Sequence, residues 1–598
     1  MKLGATVEGH RTRFRVWAPR PRTIELLVVA PVEKRVALEP RSGGYFEACV
    51  EGVGAGARYF YLLDGERRRP DPASRAQPDG VHAASEVIDA APFPWRHAPP
   101  ARALAEQVIY ELHVGTFTRA GTFAAAAAEF PRLAELGVTT VELMPVASFP
   151  GARNWGYDGV DWFAPQASYG GPDELRRLVD AAHGCGLAVL IDVVYNHFGP
   201  EGNYLGEFGP YFTARHATPW GDALDFAAQP VRAHVLENAR LWAEEYRADG
   251  LRLDAVHAIF DDSPVPIVAA VARELHACTP PRVAIAESDL GDVRVIEPRG
   301  GDGWGCDAQW ADDLHHALHA AVTGERAHYY ADFGAVSDVA RAVENGFVYT
   351  GQPSKFRGRP FGTPARHLPG ERFVVCAQNH DQIGNRARGE RLAALRPGAE
   401  HAVAAIYLLA PSVPMIFMGE EHADPAPFLY FTDHQDRALA RAVSDGRRRE
   451  FEWAGLRADE VPDPQEPSTF ERSRIDLGLG ERGRHAGVRR FYRALLALKR
   501  ERASLRVLDR ARVEARADDA AALLMMRRWS DGDETLVAAN LGRAIARATA
   551  PAPRRQPWRL LLDGGAAEFG GARGVEISGG AAPELVLPPL GVAILGSG

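Results

Sequence analysis

Eight short apolar runs, separated by segments with helical periodicity, limit what this 598-residue chain can fold into. The runs begin at Val108, Val138, Leu187, Leu251, Val283, Gly305, Phe373 and Val413, the one at Gly305 being the weakest. Runs that are apolar throughout predict strands buried on both faces, and their alternation with helices predicts a parallel sheet. Eight such units predict an α/β fold, a (β/α)8 TIM barrel enlarged by loop insertions, with a doubly wound sheet as the alternative.

Short, partly alternating runs between glycine and proline turns lie on both sides of this region. Residues 12–19 and 59–63 are of this kind near the start, and residues 521–525 and 535–539 near the end. Such runs are typical of β-sandwiches, and the proline-dense stretch 91–100 suits a linker. We therefore predict an N-terminal β-sandwich over residues 1–95, a catalytic barrel over 100–505 with a short insertion after the third strand at about 198–229, and a C-terminal β-sandwich over 506–598.

Composition excludes several classes of function. A net charge of -9 with scattered cations argues against nucleic-acid binding. No stretch of about 18 apolar residues occurs, and the first ten residues have no apolar core of a signal peptide, so neither a membrane span nor export is expected. The five cysteines are widely spaced without a Cys-x-x-Cys pair, which predicts reduced thiols and a cytoplasmic protein.

Polar residues stand at the ends of several predicted strands. The run 250–257 contains Arg252 and Asp254, and an unpaired carboxylate there would cost several kcal/mol unless the strand opens onto a ligand. Other strand ends carry Asp192, His197, Glu287, His380 and Asp381. Taken singly, each residue could cap a helix or form a structural ion pair. Because barrel enzymes place their chemistry at the C-terminal ends of strands, together they predict one site.

Four of these segments, in this order along the chain, resemble the signature regions of the α-amylase superfamily of glycoside hydrolases. They are residues 192–197 (DVVYNH), 250–254 (GLRLD), 286–287 (AE) and 379–381 (NHD). Further segments between about residues 10 and 440 are similar to the maltooligosyltrehalose trehalohydrolases within that superfamily. These are 108–118 (VIYELHVGTFT), 154–160 (NWGYDGV), 202–204 (GNY), 218–222 (TPWGD), 254–258 (DAVHA), 307–317 (DAQWADDLHHA) and 378–386 (QNHDQIGNR).

The resemblance implies a retaining hydrolase that cuts the α-1,4 bond next to the terminal trehalose unit of maltooligosyltrehalose and releases trehalose. Asp254 would be the nucleophile, Glu287 the general acid and base, and Asp381 the carboxylate that stabilises the transition state. It also implies an N-terminal domain like a carbohydrate-binding module, no cofactor, and a pathway partner, maltooligosyltrehalose synthase, for which the sequence gives no evidence of contact. An α-glucan branching or debranching enzyme and a catalytically inactive glucan-binding protein remain as alternatives.

The substrate contacts are predicted from the same segments. Arg252 lies two residues before Asp254, on the same strand face, and is expected to hold it ionised, whereas Glu287 is expected to be kept protonated by a different environment. By resemblance, His197 and His380 would bind one sugar ring and Tyr157 would stack on it. Asp192 is a further predicted contact, and Asp312 with Asp313 is predicted to form an acidic lip at the trehalose end. His257 is also included, although the family pattern leaves its role open. Trp155 is expected either to contact the sugar or to pack in the core, with neither role favoured.

No metal is predicted. His315 and His319 have the i,i+4 spacing of a zinc pair, but the glutamate of a metalloprotease motif is missing between them. The insertion after the third strand has few carboxylates, so it does not suit a calcium ion that needs six to eight oxygen ligands.

Overall fold

The structure is a computed structural model that describes residues 2–218, 221–452 and 456–598. Pro219 and Trp220 of the TPWGD segment lie outside the described residues. In the described ranges, none of the helices has the length and apolar character needed to cross a membrane.

The N-terminal part of the chain forms two β-sheets. Its strands are β1 (Gly4–Glu8), β2 (Arg11–Trp17), β3 (Ile24–Ala30), β4 (Lys34–Ala37), β5 (Glu39–Arg41), β6 (Tyr45–Glu51), β7 (Arg58–Leu63), β8 (Arg67–Arg69) and β9 (Ser85–Glu86). One sheet has the order β1-β2-β6-β5, and the other has the order β4-β3-β7-β8 with β9 against β7. Phe14 of the first sheet contacts Tyr59 of the second edge to face, with ring centroids 4.9 Å apart, so the inward-facing side chains pack between the two layers.

The middle of the chain alternates strands and helices. Its first half contains β10 (Ile109–Leu112), α1 (Val114–Phe117), α2 (Phe123–Ala128), α3 (Phe130–Leu136), β11 (Thr140–Leu143), β12 (Ala147–Ser148), β13 (Asp161–Pro165), α4 (Gly171–Gly184), β14 (Ala188–Val193), α5 (Leu205–Phe208), β15 (Phe212–Thr218), β16 (Gly221–Leu224), α6 (Gln229–Arg240) and β17 (Gly250–Leu253). Its second half contains α7 (Ile267–Ala277), β18 (Val283–Ala286), β19 (Ala308–Trp310), α8 (Asp313–Thr323), α9 (Val336–Asn345), β20 (Thr350–Ser354), β21 (Arg359–Gly362), β22 (Phe373–Cys376), α10 (His380–Gly384), α11 (Leu392–Leu395), α12 (Glu400–Leu409), β23 (Val413–Phe417), α13 (Arg437–Glu450), α14 (Pro467–Arg472), α15 (Gly483–Glu501) and α16 (Ala503–Arg506).

All eight apolar runs become strands of one closed parallel barrel, in the order β10-β11-β14-β17-β18-β19-β22-β23. The first and last strands pair with each other through Ile109 and Met415, which closes the sheet. A side chain at Gly250 would lie 2.3 Å from a methyl carbon of Val283, so the start of β17 has room only for glycine. The TIM barrel prediction is therefore confirmed, and the doubly wound alternative is wrong.

Local signals determine several helix ends. Thr122 caps α2 by accepting a hydrogen bond from the backbone N–H of Ala125, and Gly137 ends α3 with φ of 110°. From the sequence, Thr122 and Gly137 predict one alanine-rich helix between them, but the helix is divided at Glu129, because Pro131, which has no N–H to donate, lies in the first turn of a second helix.

The insertion after β14 packs against the N-terminal sheets. Its short helix α5 is followed by the β15–β16 hairpin. Glu207 of α5 pairs with Arg69, at 2.9 Å, and the Tyr211 ring lies 4.8 Å from that of Trp17. The insertion therefore joins the N-terminal sheets to the barrel.

The C-terminal part is again two sheets. Its strands are β24 (Val513–Asp518), β25 (Leu523–Ser530), β26 (Asp533–Asn540), β27 (Ala546–Thr549), β28 (Arg559–Asp563), β29 (Glu576–Ser578), β30 (Glu584–Leu587) and β31 (Val592–Ser597). The sheets have the orders β24-β25-β26-β31-β28 and β27-β30-β29. Leu536 and Leu595 of the first share one buried cluster with Leu585 and Leu587 of the second, so these sheets also face each other.

Candidate active site

Arg252 lies at the centre of the polar residues that follow the barrel strands. Its side chain is fully buried on β17, and it donates hydrogen bonds of 2.7 Å to the carboxylates of Asp192, Asp254 and Glu287. The guanidinium also lies 4.1 Å from the centre of the Trp310 ring on β19. One fixed cation thus connects the ends of three neighbouring strands.

Asp254 follows the last residue of β17 and is only 8% exposed. One of its oxygens accepts from Arg252, and the other accepts from the side-chain amide of Asn196, at 2.6 Å. The next residue, Ala255, has φ of 40°, a left-handed conformation that is costly for a residue with a Cβ. That backbone turn points the N–H of Ala255 at Glu287, with a hydrogen bond of 2.8 Å.

Glu287 follows β18 and therefore stands beside Asp254 at the same end of the barrel. The structure differs from the expected contrast between the two carboxylates, because Arg252 donates to both of them. Each side chain keeps limited access to solvent, 11% exposed for Asp254 and 15% for Glu287. Asp254 and Glu287 therefore lie on either side of the Arg252 guanidinium, and both remain partly accessible to a ligand.

His380 begins α10 and connects the third predicted acid to the barrel interior. Its Nδ1 lies 2.5 Å from a carboxylate oxygen of Glu111 on β10, and its Nε2 lies 2.8 Å from the hydroxyl of Tyr157. Burial lowers the pKa of His380, but the charges of Glu111 and then Asp381 outweigh burial and raise it to about 9. His380 is therefore an imidazolium at neutral pH, next to the Asp381 carboxylate, whose side chain is 38% exposed.

Asp192 supports the site from behind. It is 2% exposed and accepts hydrogen bonds from Arg252 and from the Tyr157 hydroxyl, each at 2.7 Å. Burial raises its pKa to about 7, while the charge of Arg252 lowers it. Asp192, which was predicted to contact the substrate, is instead a buried group that positions Tyr157 and Arg252.

Trp155 and His197 are also largely enclosed. The indole of Trp155 is 5% exposed, stacks on Phe428 with ring centroids 5.2 Å apart, and donates to the carbonyl of Leu429. His197 contacts the side-chain carbonyl of Asn196 and the carbonyl of Tyr157, and burial lowers its pKa to about 4. This geometry favours core packing for Trp155 and a neutral positioning role for His197.

An aromatic pocket lies beyond Glu287, and its rings were not among the predicted site residues. Its lining includes Tyr329, Phe356 and Phe361 together with Arg357, which follow α8 or lie on the β20–β21 hairpin. Arg357 lies 3.8 Å from the centre of the Phe361 ring and pairs with Asp289. The hairpin is an insertion before β22, so only the folded chain brings these residues to the strand ends.

Asp312 and Asp313 line the same pocket but differ in their surroundings. Asp313 accepts hydrogen bonds from the backbone N–H groups of Val348 and Tyr349, at 2.6 and 3.1 Å, so it anchors that loop. For Asp312, burial, followed by the charges of Glu287 and Asp381, raises the pKa to about 8. Asp312 is therefore mostly a neutral acid at pH 7, which can donate as well as accept a hydrogen bond.

His257 and His315 make no hydrogen bond to Asp254, Glu287 or Asp381 in the described residues. His257 is exposed and its Nδ1 accepts from the backbone N–H of Asp289, at 3.1 Å. His315 contacts the carbonyl of Ala377 and the hydroxyl of Tyr330, so both of its ring nitrogens already have partners within the protein. In the parts of the chain that the structure describes, no group of three or more potential ligands could hold a metal ion.

Next to the acids, sequence reasoning missed Glu111, and it placed Asn196 at a strand end without assigning it a contact. Glu111 lies inside the apolar run that became β10, the same signal that singled out Asp254 in β17. Asn196 precedes His197 in the DVVYNH segment and contacts Asp254. A carboxylate within a buried strand was therefore the available signal for Glu111.

Comparison with known proteins identifies the family. The chain is 44% identical over 506 residues to the malto-oligosyltrehalose trehalohydrolase of Saccharolobus solfataricus, covering 84% of this chain and 87% of that protein. It is 42% identical over 575 residues to the malto-oligosyltrehalose trehalohydrolase of Deinococcus radiodurans, covering 94% and 93%. This chain belongs to the malto-oligosyltrehalose trehalohydrolase family.

Other comparisons place this trehalohydrolase-family chain among the α-amylase glycoside hydrolases. Residues 113–217 match the alpha amylase catalytic domain, and residues 2–78 match carbohydrate-binding module 48, the isoamylase N-terminal domain. A crystal structure of a Salmonella typhimurium protein assigned as an alpha amylase has a TM-score of 0.89 at 35% identity, covering 100% of this chain and 99% of that one. A pullulanase from Anoxybacillus sp. LM18-11, at 18% identity and a TM-score of 0.73 over 100% and 87% of the chains, shares the fold. The family and superfamily predictions are confirmed.

Proposed function

We propose that this chain hydrolyses the α-1,4 bond next to the terminal trehalose unit of maltooligosyltrehalose and releases trehalose, with retention at the anomeric carbon. The observation that carries the proposal is the Arg252 guanidinium, which holds Asp254 and Glu287 at 2.7 Å each on adjacent strand ends. A single guanidinium between them favours the short carboxylate separation of retaining enzymes, about 5 to 5.5 Å, over the longer one that accommodates a water molecule.

Asp254 would act as the nucleophile. Arg252 and Asn196 both donate to its carboxylate, which holds the oxygen that attacks the anomeric carbon in a fixed orientation. As the new C–O bond forms, the bond to the departing oxygen breaks, and Glu287 delivers a proton to that oxygen. A water molecule then gives its proton to Glu287 and displaces Asp254 from the glucosyl ester, which restores both groups.

Asp381 and His380 would bind the ring that is attacked. The Asp381 side chain is the most exposed of the three acids, and the His380 imidazolium beside it supplies a fixed positive charge. Tyr157, whose ring stacks on His380 with centroids 5.2 Å apart, presents a half-buried aromatic face to the same space. Hydroxyl groups of the sugar would thus meet a carboxylate acceptor next to a buried positive charge.

The aromatic pocket beyond Glu287 would hold the trehalose end. Tyr329 and Phe356 offer ring faces of the kind on which sugar C–H faces pack, and Phe356 is 44% exposed. Asp312, neutral at pH 7, can donate to one sugar oxygen and accept from another. An Asp312→Ala variant is expected to raise KM for maltooligosyltrehalose, and an unchanged KM and kcat would reject that contact.

One experiment distinguishes the candidate functions. The protein is incubated separately with maltooligosyltrehalose, plain maltooligosaccharide and a branched glucan, and the products are identified by chromatography, with the anomer followed by NMR. Fast trehalose release from the first substrate alone, with the new reducing end appearing as the α-anomer, is expected. New α-1,6 branches would establish the branching alternative, and no turnover of any substrate would establish the inactive glucan-binding alternative.

The remaining predictions about organisation stay proposals. The domain limits 1–95, 100–505 and 506–598 are supported by the arrangement of the sheets. A cytoplasmic location is supported by five cysteines that are all free thiols. The pathway partner, maltooligosyltrehalose synthase, would supply the substrate.

A further inference from the structure

A cavity of about 680 Å³ lies at the N-terminal ends of the first three barrel strands. Among its lining residues, Val108 and Thr139 directly precede β10 and β11, and Gly186 lies two residues before β14. The carboxylates of the active site follow the opposite ends of the strands. The volume lies within the ~300–1,000 Å³ range of small-molecule sites, and the cavity is separate from the site described above.

The lining of this cavity is strongly cationic. Arg102, Lys499, Arg500 and Arg506 line it, against one acid, Glu106. Within the described part of the chain, Arg102 reaches only the carbonyl of Gly186, at 3.5 Å, and no carboxylate pairs with Arg500 or Arg506. The side chains of Arg102, Arg500 and Arg506 are exposed, so they form a local positive patch in a protein of net charge -9.

The positive charge continues beneath the cavity. Lys499 is 7% exposed, and its ammonium has one acceptor, the carbonyl of Ser412 at 3.4 Å. Arg528 and Arg510 are buried behind it and donate to backbone carbonyls and to the Ser412 hydroxyl, with no carboxylate among their partners in the described residues. Burial, followed by the charge of Arg528, lowers the pKa of Lys499 well below its usual value. An anion bound in the cavity would offset the repulsion between these buried cations and would favour the charged form of Lys499.

Helix geometry alone does not account for the arrangement. Lys499 and Arg500 lie in the last turn of α15, where the helix dipole favours a cation. That effect does not extend to Arg102, which precedes β10, or to Arg506 of α16. It also does not compensate for burying an ammonium with a single acceptor. The apolar part of the lining, which includes Val138 and Leu496, adds a surface for the uncharged part of a ligand.

We propose that this cavity is a binding site for a small phosphate ester, with Arg102, Arg500 and Arg506 around the phosphate and Lys499 below it. Guanidinium groups match phosphate oxygens in pairs, and three of them with an ammonium suit a dianion better than a carboxylate. The site does not rest on the proposed hydrolytic function. Because it opens at the opposite end of the barrel, its ligand does not compete with the glucan.

Calorimetric titration of the full chain tests the proposal. Inorganic phosphate, glucose 6-phosphate and AMP are the probes, with glucose as the uncharged control, all at one fixed ionic strength. At least one phosphate probe is expected to bind with a dissociation constant of about 1 mM or tighter. The probe that binds best distinguishes free phosphate, a sugar phosphate and a nucleotide as its source. No binding of any phosphate probe at about ten times that concentration, or equal binding of glucose, overturns the proposal.

Two further measurements locate the binding. An Arg500→Gln/Arg506→Gln variant is expected to bind at least about tenfold more weakly, whereas Arg437→Gln/Arg441→Gln, which changes two exposed arginines on α13, binds like wild type. The bound probe also slows alkylation of Cys185, which lines the cavity, but not that of the exposed Cys49. Equal affinity of the two double variants, or an unchanged Cys185 rate with the probe bound, places the ligand elsewhere and refutes the site.

Discussion

The Glu111→Gln substitution tests how His380 obtains its charge. Glu111 and His380 are each 1% exposed, and Glu111 accepts from the imidazole at 2.5 Å and from the backbone N–H of His380 at 3.2 Å. Glutamine keeps the shape of the side chain and removes its charge. Burial and Arg252, which both lower the pKa of His380, are then opposed mainly by Asp381.

The structure gives the size of the expected effect. A pKa raised from 6.5 to about 9 corresponds to ~3 kcal/mol of preference for the imidazolium. Without Glu111, His380 is expected to be neutral at pH 7.5, and the charge-assisted hydrogen bond that its Nε2 donates to the Tyr157 hydroxyl, ~1.5–3 kcal/mol, is lost from the sugar-binding surface. We therefore expect kcat/KM at pH 7.5 to fall by about 10- to 100-fold and to recover partly as pH is lowered.

The sign of the stability effect follows from the same pKa. Because the folded-state pKa of His380 is raised, its contribution to stability is complete below the unfolded-state value of about 6.5 and is lost as pH rises through about 9. Wild type should therefore lose its stability advantage over the Glu111→Gln variant across that interval. Denaturant unfolding at several pH values measures this difference.

The assay is trehalose release from maltooligosyltrehalose across pH 5 to 9, with the charge of His380 followed by ¹⁵N NMR. The matched control is Glu142→Gln on the neighbouring strand β11. Burial, followed by the charge of Glu111, raises the pKa of Glu142 well above its usual value, so this change removes no charge and should alter kcat/KM by less than about twofold. A Glu111→Gln variant with the wild-type pH profile and a charged His380 at pH 8 would refute the reasoning.

Three further predictions concern single residues. Asp254→Asn should lower turnover by about 10³-fold or more with the far-UV circular dichroism unchanged, and retained trehalose release would reject Asp254 as nucleophile. Trp155→Phe removes the hydrogen bond to Leu429, so the free energy of unfolding should fall by ~1–3 kcal/mol while KM stays within about twofold; a raised KM with unchanged stability would instead indicate a sugar platform. Because the folded-state pKa of Asp312 is raised to about 8, wild type should lose stability relative to Asp312→Asn as pH rises from about 4 to 8, and parallel denaturation curves across that range would contradict this.

Local sequence patterns specify most elements of the fold. The eight strands were predictable because each is a continuous apolar run, and the weak run at Gly305 still supplies the short strand β19. The ends of α2 and α3 were signalled by Thr122 and Gly137. The division of the helix at Glu129 was missed, although Pro131 is visible in the sequence, because the alanine run before it suggested one helix.

In the active site, the end of the barrel on which each residue lies was predictable, but most side-chain contacts were not. Strand-end residues converge because all parallel strands of a closed barrel end on the same face. Arg252 was correctly paired with Asp254, two residues apart on one strand, but its contact with Glu287 required the alignment of β17 with β18. Trp155 lies in a segment that marks the family, yet its indole packs on Phe428, far along the chain.

By itself, the sequence determined the order of the elements, the number of buried parallel strands, and the face on which the acids stand, whereas closure of the sheet was seen only in the structure. These follow from short-range patterns of apolar side chains and from the handedness of parallel connections. Only the tertiary structure decided which groups share protons and charge: Glu111 with His380, Arg252 between two acids, and the hairpin that brings Phe356 to the pocket. The physical reason is that such contacts depend on strand stagger and on packing between residues far apart in sequence, which no local pattern specifies.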